Sequence, residues 1–142
     1  MINKVFLCFD HGEKRIGVAV GQSITATATP LETIECKSGK PDWNRITALI
    51  EKWRPSDIIV GKPLTMEGER QAATDAAEKF ARQLHGRYVL PLHFADERLS
   101  SHEAEQRLKS SYDVAPVAAQ VILESWLSEH ATDDSDANTT EQ

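Results

Sequence analysis

Apolar positions first gather in two short runs around a polar break. Val5–Asp10 is apolar up to its closing carboxylate, His11-Gly12-Glu13-Lys14 interrupts, and Arg15–Val20 resumes. Two such runs with a glycine between them predict a β-hairpin. The threonine-rich stretch Ile24–Glu35 adds a third antiparallel strand, and Ser38-Gly39-Lys40-Pro41 reads as a loop. The period then changes. Trp43, Ile46, Leu49, Ile50 and Trp53 share one face of a helix that Asp42 can cap and Pro55 stops. Asp57–Gly61, apolar after its first residue, predicts a strand buried on both faces.

A loop at Lys62–Glu69 precedes a helical stripe of Ala72, Ala73, Ala76, Ala77, Phe80, Ala81 and Leu84, whose small alanines suit close packing on a sheet. Gly86 is the expected end of that helix. Tyr88–Ala95 predicts another strand, with Asp96-Glu97-Arg98 at its carboxyl end. Ser100-Ser101-His102-Glu103 matches a capping box for a helix to about Lys109. Pro116 suits the first turn of a last helix carrying Val117, Val121, Ile122, Ser125 and Trp126. From Ala131 the chain is polar and acidic, and is expected to be disordered. The alternation predicts an α/β domain over residues 1–130, a mixed five-stranded sheet flanked by helices, with 131–142 as an acidic tail.

Length agrees with one domain: 142 residues bury one sizeable core and hardly two. No apolar run approaches the roughly 18 residues of a membrane helix. The amino terminus shows no cleavage site for a signal peptide. Only Cys8 and Cys36 occur, without metal spacing, which suits a reducing, cytoplasmic setting. Cys8, inside the first strand, reads as a small buried hydrophobe. Net charge is −6, and four of the 22 acids lie in the last ten residues, leaving 18 acids against 16 bases elsewhere, a net of −2. That is not the footprint of a protein holding nucleic acid by bulk charge, and it favours local recognition.

Three places carry candidate chemistry. Asp10 ends a buried strand, where a carboxylate is costly without a partner, and a hard cation is one such partner. Gly12 permits the tight turn beyond it, and Gly17 inside a strand signals close approach by another backbone. Asp96 and Glu97 also lie just past a strand, so Asp10 and one of the two could share a divalent cation if their strands are neighbours. Val60-Gly61-Lys62-Pro63-Leu64 leaves a strand at a sheet edge, where α/β ligand sites commonly sit, and Lys62 and Arg70 there could meet phosphates. Each motif alone also reads blandly, as a polar hairpin turn, a solvated turn before a helix, and a helix-entry loop.

Together the motifs are specific. Asp10-x-Gly12-x-Lys14-Arg15-Ile16-Gly17-Val18-Ala19, Ile59-Val60-Gly61-x-Pro63-Leu64, Asp96-Glu97-Arg98-Leu99-Ser100 and Val121-Ile122-Leu123-Glu124-Ser125-Trp126-Leu127 stand in the order and spacing of the YqgF/RuvX family, over roughly residues 4–129. The resemblance implies an RNase H-like fold related to the RuvC Holliday-junction resolvases. It also implies a nuclease acting on the 5′ end of precursor 16S ribosomal RNA, alone or in a pre-ribosomal particle, in the cytoplasm and away from membranes. The implied site is three carboxylates holding Mg²⁺ or Mn²⁺ for two-metal phosphodiester hydrolysis. Asp10 matches the first carboxylate and Glu97 the second, with Asp96 as the alternative. The family's third aspartate falls at Ala115, eight residues before Leu123, and the nearest acid is Asp113. Lys14, Arg15, Lys62 and Arg98 are the candidates for backbone phosphates. Two other classes stay open. A non-catalytic ribosome-assembly or transcription factor would retain an incomplete site, and junction resolution in DNA follows from fold analogy alone. An actin-like or sugar-kinase-like ATPase needs two such domains, more than this length allows.

Overall fold

The computed structural model describes residues 3–97 and 114–140. The hairpin forms as β1 (Val5–His11) and β2 (Arg15–Gln22), closed by a turn in which the Gly12 amide donates to the Arg15 carbonyl at 2.9 Å. A Cβ at Gly12 would stand 2.6 Å from that carbonyl oxygen, so the turn requires glycine. β3 (Thr27–Lys37) pairs antiparallel with β2. Lys40–Pro41, expected as loop, folds back on Cys36 and Lys37 as β4, because Ser38 and Gly39 both take positive φ and reverse the chain within two residues. Among the described residues the sheet thus has six strands, not five.

α1 (Trp43–Trp53) starts where Asp42 accepts the Arg45 amide at 3.2 Å, and ends at Arg54 in the left-handed region, just before Pro55. β5 (Asp57–Lys62) runs parallel to β1. α2 (Ala72–Tyr88) opens on a reciprocal cap between Gln71 and Thr74. It does not end at Gly86. Tyr88, one turn beyond Leu84 on the buried side, bonds the Thr47 hydroxyl at 2.7 Å, and Val89 makes the left-handed cap. Tertiary contact therefore carries the helix past a residue whose helix penalty is about 1 kcal/mol. The next strand starts correspondingly later, so β6 is only Leu92–Asp96, parallel to β5. α3 is Val114–Thr140, with Pro116 in its first turn. The helix is continuous to Thr140, through the polar, acidic stretch that follows Ala131. The capping box at 100–103 and its helix lie outside the described residues.

The strand order is β4-β3-β2-β1-β5-β6. α1 and α2 cover one face, over Leu7, Phe9, Ile16, Val18, Ile58 and Val60. α3 covers the other, over Phe6, Cys8, Ala19 and Ile59. β5 is buried on both faces, as its composition predicts. No helix among the described residues is long and apolar enough to cross a membrane.

The seat of α3 is written in β2. Gly17, Ala19 and Gly21 point to the same face of the sheet. A Cβ at Gly17 would overlap the Ala115 carbonyl, and one at Gly21 would come within 2.8 Å of the Leu123 side chain. Small residues there let the helix lie directly on the strand, with Ala119 and Leu123 fully buried. Replacing Gly17 by alanine therefore destabilises the fold by about 1–3 kcal/mol through overpacking. Gly86→Ala, exposed within a helix and with nothing near its missing Cβ, stabilises by up to about 1 kcal/mol. Urea denaturation of the two variants separates them in opposite directions from the parent.

Candidate active site

Strand alternation sends successive side chains of β1 to opposite faces. Asp10 joins Phe6 and Cys8 on the α3 side, while His11 joins Leu7 and Phe9 on the α1–α2 side. Asp10 stands opposite Gly17 in the β1–β2 register. Glu97 follows directly on β6, beyond the Lys62–Asp96 pair.

β1 and β6 are not neighbours, because β5 lies between them. The carboxyl groups nevertheless meet, and Asp10 and Glu97 share a side-chain hydrogen bond. Gly61 makes this possible. A Cβ on Gly61 would be 2.7 Å from Glu97 Oε2, so the intervening strand gives up its side chain where Glu97 crosses over it. Asp10 thus has a glycine strand neighbour on one side and a glycine gap on the other.

Burial raises the Asp10 pKa above the usual carboxylate range, with the Glu97 hydrogen bond opposing part of the rise. Glu97 is raised further, first by burial, then by the Asp10 charge and hydrogen bond, and last by the Asp96 charge. The physical content is that two carboxyls in contact, poorly hydrated, cannot both be charged, so near neutral pH they hold a proton between them. The fully buried Cys8 thiol beneath them is held well above its ordinary value by burial and then by both carboxylates, which leaves it an inert packing group.

The other expected residues are distributed unequally. Lys14 and Arg15 are exposed at the hairpin turn, and Arg15 lies on the same sheet face as Gly17 and Asp10. Lys62 does not converge on the carboxylates. Its ammonium lies 3.3 Å from Glu78 on α2 and 5.3 Å from the centre of the Phe94 ring. Arg70 is likewise tied to Asp75 and Glu78, at 2.5 Å each. Asp96 is partly buried beside Glu97. Arg98 and Asp113 lie outside the described residues. Ala115, at the place of the implied third aspartate, presses its backbone on Gly17, beside Asp10. Among the described residues no group of three or more His, Cys, Asp or Glu side chains is placed to hold an ion.

Two oxygen donors still suit a hard cation. Mg²⁺ is commonly held by one or two carboxylates, its remaining positions filled by water and substrate phosphate. A pair that must otherwise retain a proton is a natural place for positive charge. Sequence reading singled out Asp10 and Glu97 but missed Gly61 as the gap that joins them. The only signal was a glycine ending an apolar run.

The fold is that of the RuvC resolvases. A structure described as Thermus thermophilus RuvC in complex with Holliday junction substrate superposes with a TM-score of 0.60, covering 87% of this chain and 93% of that one at 14% identity. A second T. thermophilus RuvC structure gives 0.55 at 12% identity, with the same coverage. The architecture is therefore RNase H-like. Within that class, residues 4–129 match the family described as "RuvX: Holliday junction resolvase". A relative from Hydrogenovibrio crunogenus, named "Putative pre-16S rRNA nuclease", is 52% identical over 127 residues, covering 89% of this chain and 95% of its own. One of the same name from Nitrosococcus oceani is 48% identical, covering 91% and 90%. The chain belongs to the RuvX (YqgF) family.

The shared proton has a thermodynamic signature. Both folded carboxyls titrate above their unfolded values, so the folded state binds more protons from about pH 4, the ordinary carboxylate value, to about 8, where Glu97 is pushed. Stability from this pair is thus greatest in acid and falls as pH rises through that window. In chelator, the melting temperature of the parent should decline over this range more steeply than that of Asp10→Asn, whose amide never charges. Equal slopes would show that folding does not raise the Asp10 carboxyl above its ordinary value.

Proposed function

We propose that the protein is a divalent-metal-dependent nuclease that hydrolyses phosphodiester bonds during maturation of the 5′ end of 16S ribosomal RNA. The observation carrying this reading is the contact between Asp10 and Glu97 over the Gly61 gap, in a chain whose relatives bear the name of that activity. The substrate is precursor ribosomal RNA, free or within a pre-ribosomal particle, and the setting is the cytoplasm. The cation is Mg²⁺ or Mn²⁺.

Asp10 and Glu97 would hold the cation, whose charge would take the place of the proton they otherwise share. When bound, the cation supplies Lewis-acid stabilisation of charge on the phosphoryl oxygens. Arg15, exposed on the same face, meets a non-bridging phosphate oxygen of the substrate strand, and Lys14 and Arg98 meet neighbouring phosphates. Cys8 and the α3 contacts exclude water from beneath the carboxyls. Lys62 joins the phosphate contacts only where Glu78 releases it. Asp113 serves as the third carboxylate from the segment before α3, and residues 131–142 are an appendage outside the nuclease domain. A second reading, an assembly factor without catalysis, is favoured by one observation: the position beside Asp10 that the third aspartate would take is Ala115.

Purified protein incubated with a 5′-extended 16S precursor should cleave it in Mg²⁺ or Mn²⁺ and not in chelator. Loss of an ion ligand exceeds the ten- to hundredfold typical of residues that merely support one, so Asp10→Asn should lower the rate by more than about a hundredfold while its circular dichroism stays unchanged. Equal rates in parent and variant would exclude the site.

The third carboxylate has its own test. Asp113→Asn should weaken Mn²⁺ binding and slow cleavage, and adding Ala115→Asp should restore part of both. If Asp113→Asn changes neither, the cation rests on two carboxylates.

A further inference from the structure

On the sheet face opposite the carboxyl pair lies a groove of about 920 Å³. Its floor starts one residue from Asp10, at His11, whose ring packs on Phe80 with centroids 5.0 Å apart. Trp43, at the start of α1, stacks on the same Phe80 at 5.7 Å and an angle of 27°. The Arg87 guanidinium lies 4.0 Å from the Trp43 ring centre, where a flat ring would also fit. Lys40 from β4 and Lys79 from α2 stand on the rim, both exposed and neither in an ion pair among the described residues. Glu13 is the only carboxylate in the lining among the described residues.

Three cations against one carboxylate, around stacked aromatic rings, stand out on a chain of net charge −6. Aromatic rings with interleaved basic side chains are the chemistry that holds single-stranded nucleic acid, the rings taking bases and the cations phosphates. We propose that this groove binds a single-stranded stretch of the RNA substrate, the strand that runs on past the carboxyl pair around the end of β1. A base replaces the Arg87 guanidinium over Trp43, and Arg87 turns with Lys79 and Lys40 to the phosphates. The proposal takes its RNA from the nuclease reading, but its site is separate from the cleavage site and is read by binding alone. A chain of net charge −6 acquires affinity for RNA here, through local recognition.

The test uses a fluorescein-labelled 12-nucleotide adenine RNA and the full chain in chelator, so that cleavage plays no part. Anisotropy should show binding, and tryptophan emission should be quenched as the RNA binds. Lys79→Gln/Arg87→Gln, at exposed positions, should bind about tenfold or more weakly, with a shallower dependence of affinity on salt, by about one unit for each phosphate no longer engaged. Glu13→Gln should bind more tightly. Trp43→Phe, which keeps the stack on Phe80, should remove the quench, leaving Trp53 and Trp126 as silent tryptophans. The proposal is overturned if the double variant binds like the parent with the same salt slope, or if the quench survives in Trp43→Phe. Binding with these signatures in a protein that cleaves no precursor would uphold the groove and reject the nuclease. Cleavage with no groove dependence of binding would do the reverse.

Discussion

Asp10 and Glu97 touch in a place where water reaches neither freely, and only one of them can comfortably be charged. Much of the local architecture exists to bring about that contact. β1 delivers Asp10 at its end, β6 delivers Glu97 just past its own, and the strand between them contributes Gly61, whose missing side chain is the space Glu97 occupies. On the other side of Asp10, Gly17 lets α3 descend until the Ala115 backbone rests on the sheet. Cys8 fills the floor as an uncharged thiol, which adds no positive charge to relieve the pair. The stability needed to hold this unfavourable pair comes from elsewhere. Phe9, Phe80, Ile46 and Leu84 form one apolar layer, and Ile59, Leu123 and Trp126 the other, both largely independent of the carboxyls.

The pleat of a single strand then gives the two faces different chemistry. Asp10 and His11 are adjacent in sequence and point to opposite sides of the sheet. One side has carboxyl oxygens that attract cations, the other aromatic rings edged by Lys40, Lys79 and Arg87. An acidic protein gains little from long-range attraction to a polyanion. Its contacts with such a partner must instead be few, short-ranged and well placed, and the end of β1 is where both kinds are available within one residue.

The hairpin, α1 with its Asp42 cap, and the doubly buried β5 were legible because each is fixed by local pattern: a glycine break, a helical stripe, an apolar run. The boundaries that shifted are those set by distant partners. Gly86 looks like a stop signal, but Tyr88 reaches the Thr47 hydroxyl 41 residues away and holds the helix together. β4 depends on Ser38 and Gly39 both reversing the chain, which composition alone does not specify. In the site, Asp10 and Glu97 stood out as acids at strand ends, reinforced by the family spacing. Their meeting over Gly61 did not, because strand order is invisible in a linear pattern. The pairing of Lys62 with Glu78, contributed by α2, was hidden for the same reason.

Ala115 is where the constraint on the carboxyl pair and the seat of α3 meet. Its backbone is already pressed on Gly17, one strand away from Asp10, so any acid at this position would be added to two carboxyls that already compete for a proton. A third carboxylate there would bring the charge to −3, more than one divalent ion neutralises, and such an excess favours a second ion. With a methyl group instead, the demand is smaller, and a single divalent cation would balance the pair. Whether another acid approaches from the segment before α3 therefore decides more than a ligand count. It sets the net charge of the site when the phosphate arrives, and with it how strongly the phosphodiester is held relative to the transition state derived from it.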